Sequence, residues 1–202
     1  MERPVTALRI ALTLVVLALA TGVGLRPPAD ELHAAAVPPA LAGIPGIKLE
    51  YYDVSGRTVA EIRASLDRNR PTDPATGAQF DAYTTWTMDW AIPGEPGGPC
   101  RLDQAKVMLD LTVGLPRLVD PDRVPRAVLD RWKRYRTALE VHEATHARNA
   151  LLAKQAMLKA IRTADCATAN GAAEDVLAEL DYRDADYDFV TRHGTAKGAI
   201  FP

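Results

Sequence analysis

The residues best placed to do chemistry are Val141-His142-Glu143-Ala144-Thr145-His146, which match the pattern HExxH. On a helix, side chains four apart stand one above the other on one face, so the imidazoles of His142 and His146 can converge on one metal ion. Glu143 follows the first ligand directly and lies beside that face, within reach of a water on the ion rather than of the ion itself. The expected ion is Zn²⁺, one per chain, bound by neutral imidazole nitrogens with one position left for water. Glu143 is then the general base, which takes the water's proton and later delivers it to the leaving amine. In shuffled chains of this composition the pattern arises in roughly 0.3% of cases, so accident is a weak explanation. The competing reading is structural. His142 and His146 continue the apolar stripe of Trp132, Tyr135 and Leu139, but two stacked buried imidazoles without a metal would each need a separate partner.

A catalytic zinc needs a third protein ligand. His33 precedes the expected domain, which leaves His193, 47 residues after His146, as the leading candidate. Asp188, Glu174 and Glu179 are the acidic alternatives on the same C-terminal stretch. In the longer pattern HExxHxxGxxH, the glycine and the third histidine would fall where this chain has Asn149 and Leu152, which disfavours that class. Asp188 and Thr191 are also candidates to support a ligand histidine from behind, with a carboxylate accepting its distal N–H. Tyr187 or Tyr182 could donate to an oxyanion, although an aromatic on an amphipathic helix more often packs.

Several segments together resemble a bacterial family. They are Tyr51 to Gly56 (YYDVSG), Tyr83-Thr84-Thr85-Trp86, His142 to Ala150 (HEATHARNA), and the ending Tyr187-Asp188, Thr191, His193-Gly194 and Gly198. The combination is similar to domain-of-unknown-function family 922, described as predicted secreted zinc-dependent proteases, over about residues 47–202. The resemblance implies the same roles for His142, Glu143 and His146, and it makes the C-terminal ending a second part of the site.

Positioning these groups requires a scaffold. Ile47 to Val54 is rich in strand formers, and Thr58 and Glu61 have capping-box spacing ahead of a helix to Asn69. Thr84, Trp86, Met88, Trp90 and Ile92 alternate with smaller or polar residues, as do Val107, Leu109, Leu111 and Val113, so two adjacent strands are expected, the second ended by Gly114 and Pro116. Trp86 and Trp90 are expected in the core, with a cleft wall as the alternative. From Pro125 the period becomes helical and runs without Pro or Gly to about Arg162, and Asn170 can cap a last helix from about Ala172. Strands first and helices last read as α+β, a small antiparallel or mixed sheet packed on long helices, zincin-like with HExxH on the central one.

At the N-terminus, Arg3 and Arg9 precede sixteen uncharged residues, Ile10 to Leu25. A helix of that length rises about 24 Å, short of a bilayer core, so residues 1–36 read as a signal peptide, with an N-terminal membrane anchor as the alternative. Residues 37–46, rich in Pro and Ala, read as a tether, and 47–202 as the domain. Cys100 and Cys166 are an even pair in an exported chain and are expected to form a disulfide.

The 202-residue chain balances 24 Lys and Arg against 26 Asp and Glu, which removes the electrostatic drive for nucleic-acid binding. The expectation is therefore a secreted, periplasmic or cell-envelope metallopeptidase acting on a peptide or protein substrate, in contact with membrane only through the N-terminal segment. The oligomeric state is left open. Two alternatives share the metal chemistry or the fold: a catalytically silent zinc-binding envelope protein, and a zinc amidase acting on a non-peptide or cell-wall amide.

Overall fold

The computed structural model describes residues 37–72, 77–94 and 99–202; the expected export segment, 1–36, lies outside the described residues. The chain is α+β, with a three-stranded mixed sheet and three α-helices. In order these are β1 (Ile47–Val54), α1 (Val59–Asn69), β2 (Tyr83–Ala91), β3 (Lys106–Leu118), α2 (Arg126–Thr163) and α3 (Ala169–Thr191). The sheet order is β1-β3-β2, with β1 parallel and β2 antiparallel to β3, so β2 is an edge strand beside α2. Among the described residues no helix is long and apolar enough to cross a membrane.

Local chemistry accounts for these elements. Thr58 accepts from the Glu61 backbone N–H, and the Glu61 carboxylate accepts from the Thr58 N–H, which completes the capping box of α1. On β2, Met88 is buried and Thr84, Trp86 and Trp90 are half-buried, while Thr85, Thr87 and Asp89 are exposed, as the period-two pattern requires. β3 continues past Gly114 and Pro116 rather than ending there. Glycine is needed at 114 because the Tyr83 ring lies over it: an added Cβ would stand 2.1 Å from that ring. The Tyr83 hydroxyl then reaches across to Glu50 on β1, donating at 2.7 Å. Beyond Gly114, β3 pairs with β1 alone, and a sheet tolerates proline where one edge of the strand is unpaired.

The 38-residue helix α2 lies between the sheet and α3. Its buried alanines, Ala144, Ala147, Ala150 and Ala153, together with Ala169 and Ala173 of α3, let the backbones approach closely. At its N-terminal end Trp132 and Tyr135 pack with Phe201 from the chain terminus. Tyr135 also donates to Asp81 at 2.8 Å, and Arg63 of α1 forks onto the same carboxylate at 2.8 and 2.9 Å, pinning α1 and the approach to β2 onto α2. The Cys100–Cys166 disulfide, with Cα atoms 5.8 Å apart, ties the β2–β3 connection to the α2–α3 turn. Thr168, rather than Asn170, precedes α3; the Asn170 side chain instead accepts from the Trp90 indole.

Residues 37–46 are not a free tether. Leu41 is wholly buried and Ile44 nearly so, and Arg148 of α2 donates to the Ala40 carbonyl at 2.6 Å. Composition alone reads as a linker, but the turn here brings Leu41 and Ile44, three apart, onto the core, so this segment is part of the packed unit.

Candidate metal centre

α2 presents His142 and His146 one turn apart, as their spacing requires, and α3 runs back alongside them. The ring atoms that meet are Nε2 of each histidine, 3.3 Å apart, and Oδ1 of Asp188 lies 3.0 Å from both. These three lone-pair atoms form a triangle with edges of 3.0, 3.0 and 3.3 Å. A tetrahedral zinc with bonds of about 2.0 to 2.1 Å has ligand-to-ligand edges of about 3.3 Å, so the donor set fits such an ion in size and in chemistry. It is the group that could hold a metal among the described residues.

The electrostatics of the cluster are those of a tight charge pair. Burial alone disfavours a charged imidazole, but Asp184 and Asp188 outweigh it and push the His146 pKa up to about 10. Burial would raise Asp188 as well, yet its contacts with His142 and His146 hold it well below the ordinary carboxylate range. Without a metal these shifts describe an imidazolium–carboxylate pair, and the same three atoms could hold a metal cation in place of the proton.

Each ligand is held differently. The other nitrogen of His146, Nδ1, lies 3.0 Å from Asp184 Oδ1, and Asn149 donates to that same oxygen at 2.8 Å. In the neutral ring that a metal requires, this contact keeps the proton on Nδ1 and leaves the Nε2 lone pair for the ion. His142 Nδ1 is buried without a hydrogen-bond partner. The Tyr187 ring stacks on His142 instead, with centroids 5.0 Å apart and planes 18° apart.

Glu143 is buried beside the triangle, and its Oε2 accepts from the Thr84 hydroxyl of β2 at 2.8 Å. Burial raises its pKa against the opposing effects of that hydrogen bond and of both histidines. Glu143, His142, His146 and Asp188 line one cleft of about 700 Å³, together with Ala82 and the consecutive edge-strand residues Tyr83 to Trp86.

The third atom at the triangle thus comes from Asp188, and His193 stands behind it. His193 is 57% exposed, its Nδ1 is 3.4 Å from the other oxygen of Asp188, Oδ2, and its ring packs near Phe80. The reason is helical phase. Asp181, Asp184 and Asp188 share the face of α3 that lines the cleft, whereas Arg192, His193 and Gly194 leave the helix in left-handed conformation, with φ of 51°, 51° and 77°. Thr191 is buried but does not touch a ligand. Its hydroxyl donates to the Tyr187 carbonyl at 2.7 Å and accepts from the Gly194 N–H at 3.2 Å, closing the helix end. Glu174 and Glu179 are exposed, the latter paired with Arg183, and Tyr182 is also exposed. Trp86 lines the cleft as well as packing on the core. Asp184 and Thr84 had no assigned role from sequence. The i, i+4 spacing of Asp184 and Asp188, matching that of the two histidines, is the available signal for the first; for Thr84 it is membership of the Tyr83 to Trp86 segment that carries the family resemblance.

A family model described as "Bacterial protein of unknown function (DUF922)" matches residues 49–194, and the chain belongs to that family. No curated protein and no solved structure matches it.

Proposed function

We propose that this member of the family is an exported, zinc-dependent, zincin-like peptidase. The observation that carries the reading is the triangle of His142 Nε2, His146 Nε2 and Asp188 Oδ1, with a buried carboxylate beside it and an open cleft in front. His142, His146 and Asp188 would hold the ion. Zinc bound there supplies a Lewis acid that polarises a substrate carbonyl and acidifies water.

The chain's own groups do the rest. Glu143 does not join the triangle, because Thr84 holds its Oε2. From that position it accepts the proton of the attacking water and returns it to the leaving nitrogen. Burial raises its pKa, which favours its holding the proton in transit. Three converging protein donors rather than four support a catalytic over a structural site. The β2 residues Tyr83 to Trp86 along the cleft, at the sheet edge among the described residues, support an extended peptide as substrate, since a strand edge offers the backbone hydrogen bonds that a peptide, unlike a generic amide, can complete. The disulfide and the N-terminal apolar segment support export.

The test is metal content and peptide turnover of the purified protein beside its Glu143→Gln variant. The expected result is one zinc per chain in both, with turnover at least about 10³-fold lower in the variant. Zinc without turnover in the wild type would favour the silent envelope protein; cleavage of a cell-wall amide but of no peptide would favour the amidase. Absence of bound metal overturns all three.

A further inference from the structure

The two histidines of the triangle are oriented by unlike means, and the difference assigns a role to the C-terminal ending. His146 has the Asp184 carboxylate on its Nδ1. His142 has no acceptor there, although a metal-binding histidine ordinarily needs its second nitrogen held to keep the ring in place. Two groups instead surround the His142 ring. The Tyr187 ring covers its face, while also meeting His146 edge-on with centroids 5.3 Å apart. Gly194 packs at its root: a Cβ added there would lie 3.1 Å from His142 Cγ, 3.3 Å from its Cβ and 2.9 Å from the Ala199 methyl.

The backbone is arranged to bring Gly194 to that point. Arg192 and His193 both adopt left-handed conformations, with φ of 51° each, which a residue with a side chain adopts less readily than glycine. The turn is tied back by the His193 N–H donating to the Asp188 carbonyl at 2.9 Å and by the Gly194 N–H donating to the Thr191 hydroxyl at 3.2 Å. A left-handed exit is a common helix ending, and here it delivers Gly194 to the root of His142.

We infer that Tyr187 and Gly194 are positioning residues that set the His142 ring by stacking and close packing in place of a hydrogen bond, so that metal retention depends on an aromatic ring at 187 and on the absence of a side chain at 194. This rests on the metal-site reading above. The same short segment therefore supplies one donor, Asp188, and orients a second.

The test compares Gly194→Ala, Tyr187→Phe and Tyr187→Leu with wild type, measuring zinc dissociation constants by chelator competition and the visible absorption of the cobalt-substituted proteins. Gly198→Ala is the control, because Gly198 has the same left-handed backbone, with φ of 95°, but its Cβ would meet only Ala138 at an ordinary 3.8 Å. Gly194→Ala and Tyr187→Leu are expected to bind zinc about 10- to 100-fold more weakly, with altered cobalt bands. Tyr187→Phe and Gly198→Ala are expected to stay within about threefold of wild type. Should Gly194→Ala fail to fold, the Tyr187→Phe and Tyr187→Leu pair decides alone. A wild type that binds zinc alongside a folded Gly194→Ala and a Tyr187→Leu that bind it equally well would overturn this inference while sparing the metal site. A wild type that binds no metal would overturn both.

Discussion

Asp188 and His193 are five residues apart and both lie at the cleft, yet they differ sharply in what their removal should do to metal binding. Asp188 Oδ1 is 3.0 Å from both Nε2 atoms, whereas His193 reaches only the far oxygen of Asp188, at 3.4 Å, and is more than half exposed. A four-ligand zinc site in a small peptide binds with roughly 10 to 16 kcal/mol, so one ligand accounts for about 3 to 4 kcal/mol. At about 1.4 kcal/mol per decade, Asp188→Ala should weaken zinc binding by about 10² to 10³-fold. His193→Ala removes a neighbour of a ligand and should cost no more than about tenfold. The assay is competition against a chromophoric chelator at fixed pH and ionic strength, with circular dichroism of each metal-free variant to establish that it folds. Asp188→Asn, which keeps the shape and loses the charge, should fall between the two. A large loss in His193→Ala with near-normal binding in Asp188→Ala would refute the reasoning and make His193 the third donor.

Three further outcomes follow from other parts of the structure. Thr84→Val should leave zinc content unchanged and lower kcat by about tenfold with little change in KM, because it frees the Glu143 carboxylate without touching the donors. Asp81 is held below its ordinary carboxyl value because the hydrogen bonds from Arg63 and Tyr135 outweigh the effect of burial. A lowered folded value means that this stability is present above about pH 4 and is lost as pH falls through the folded value. Asp81→Asn should therefore flatten the acid limb of a denaturation-versus-pH profile and cost on the order of 3 kcal/mol at pH 7, where Arg63 loses its charged partner. Leu41→Ala should destabilise by about 2 to 5 kcal/mol in urea unfolding, as for a core leucine, whereas a residue in a free tether would show no change.

The parts of this protein written in its sequence alone are those set by spacing within one element. His142, Glu143 and His146 occupy consecutive turns of one helix, so helical geometry alone brings the two imidazoles to one face with the carboxylate beside it. The capping box at Thr58 and Glu61 and the alternation of β2 are legible for the same reason: each depends on residues at most a few positions apart. The tertiary structure decided everything that depends on how separate elements meet. Which C-terminal residue faces the histidines turns on the phase of α3 against α2 and on where α3 breaks; the left-handed exit at Arg192 carries His193 away and leaves Asp188 on the triangle. The parallel pairing of β1 with β3, the reach of Thr84 from β2 to Glu143 and the packing of Leu41 likewise join residues dozens of positions apart. Such contacts depend on how the elements dock, through burial that is non-directional and hydrogen bonds between distant residues, and neither leaves a periodic mark on the chain.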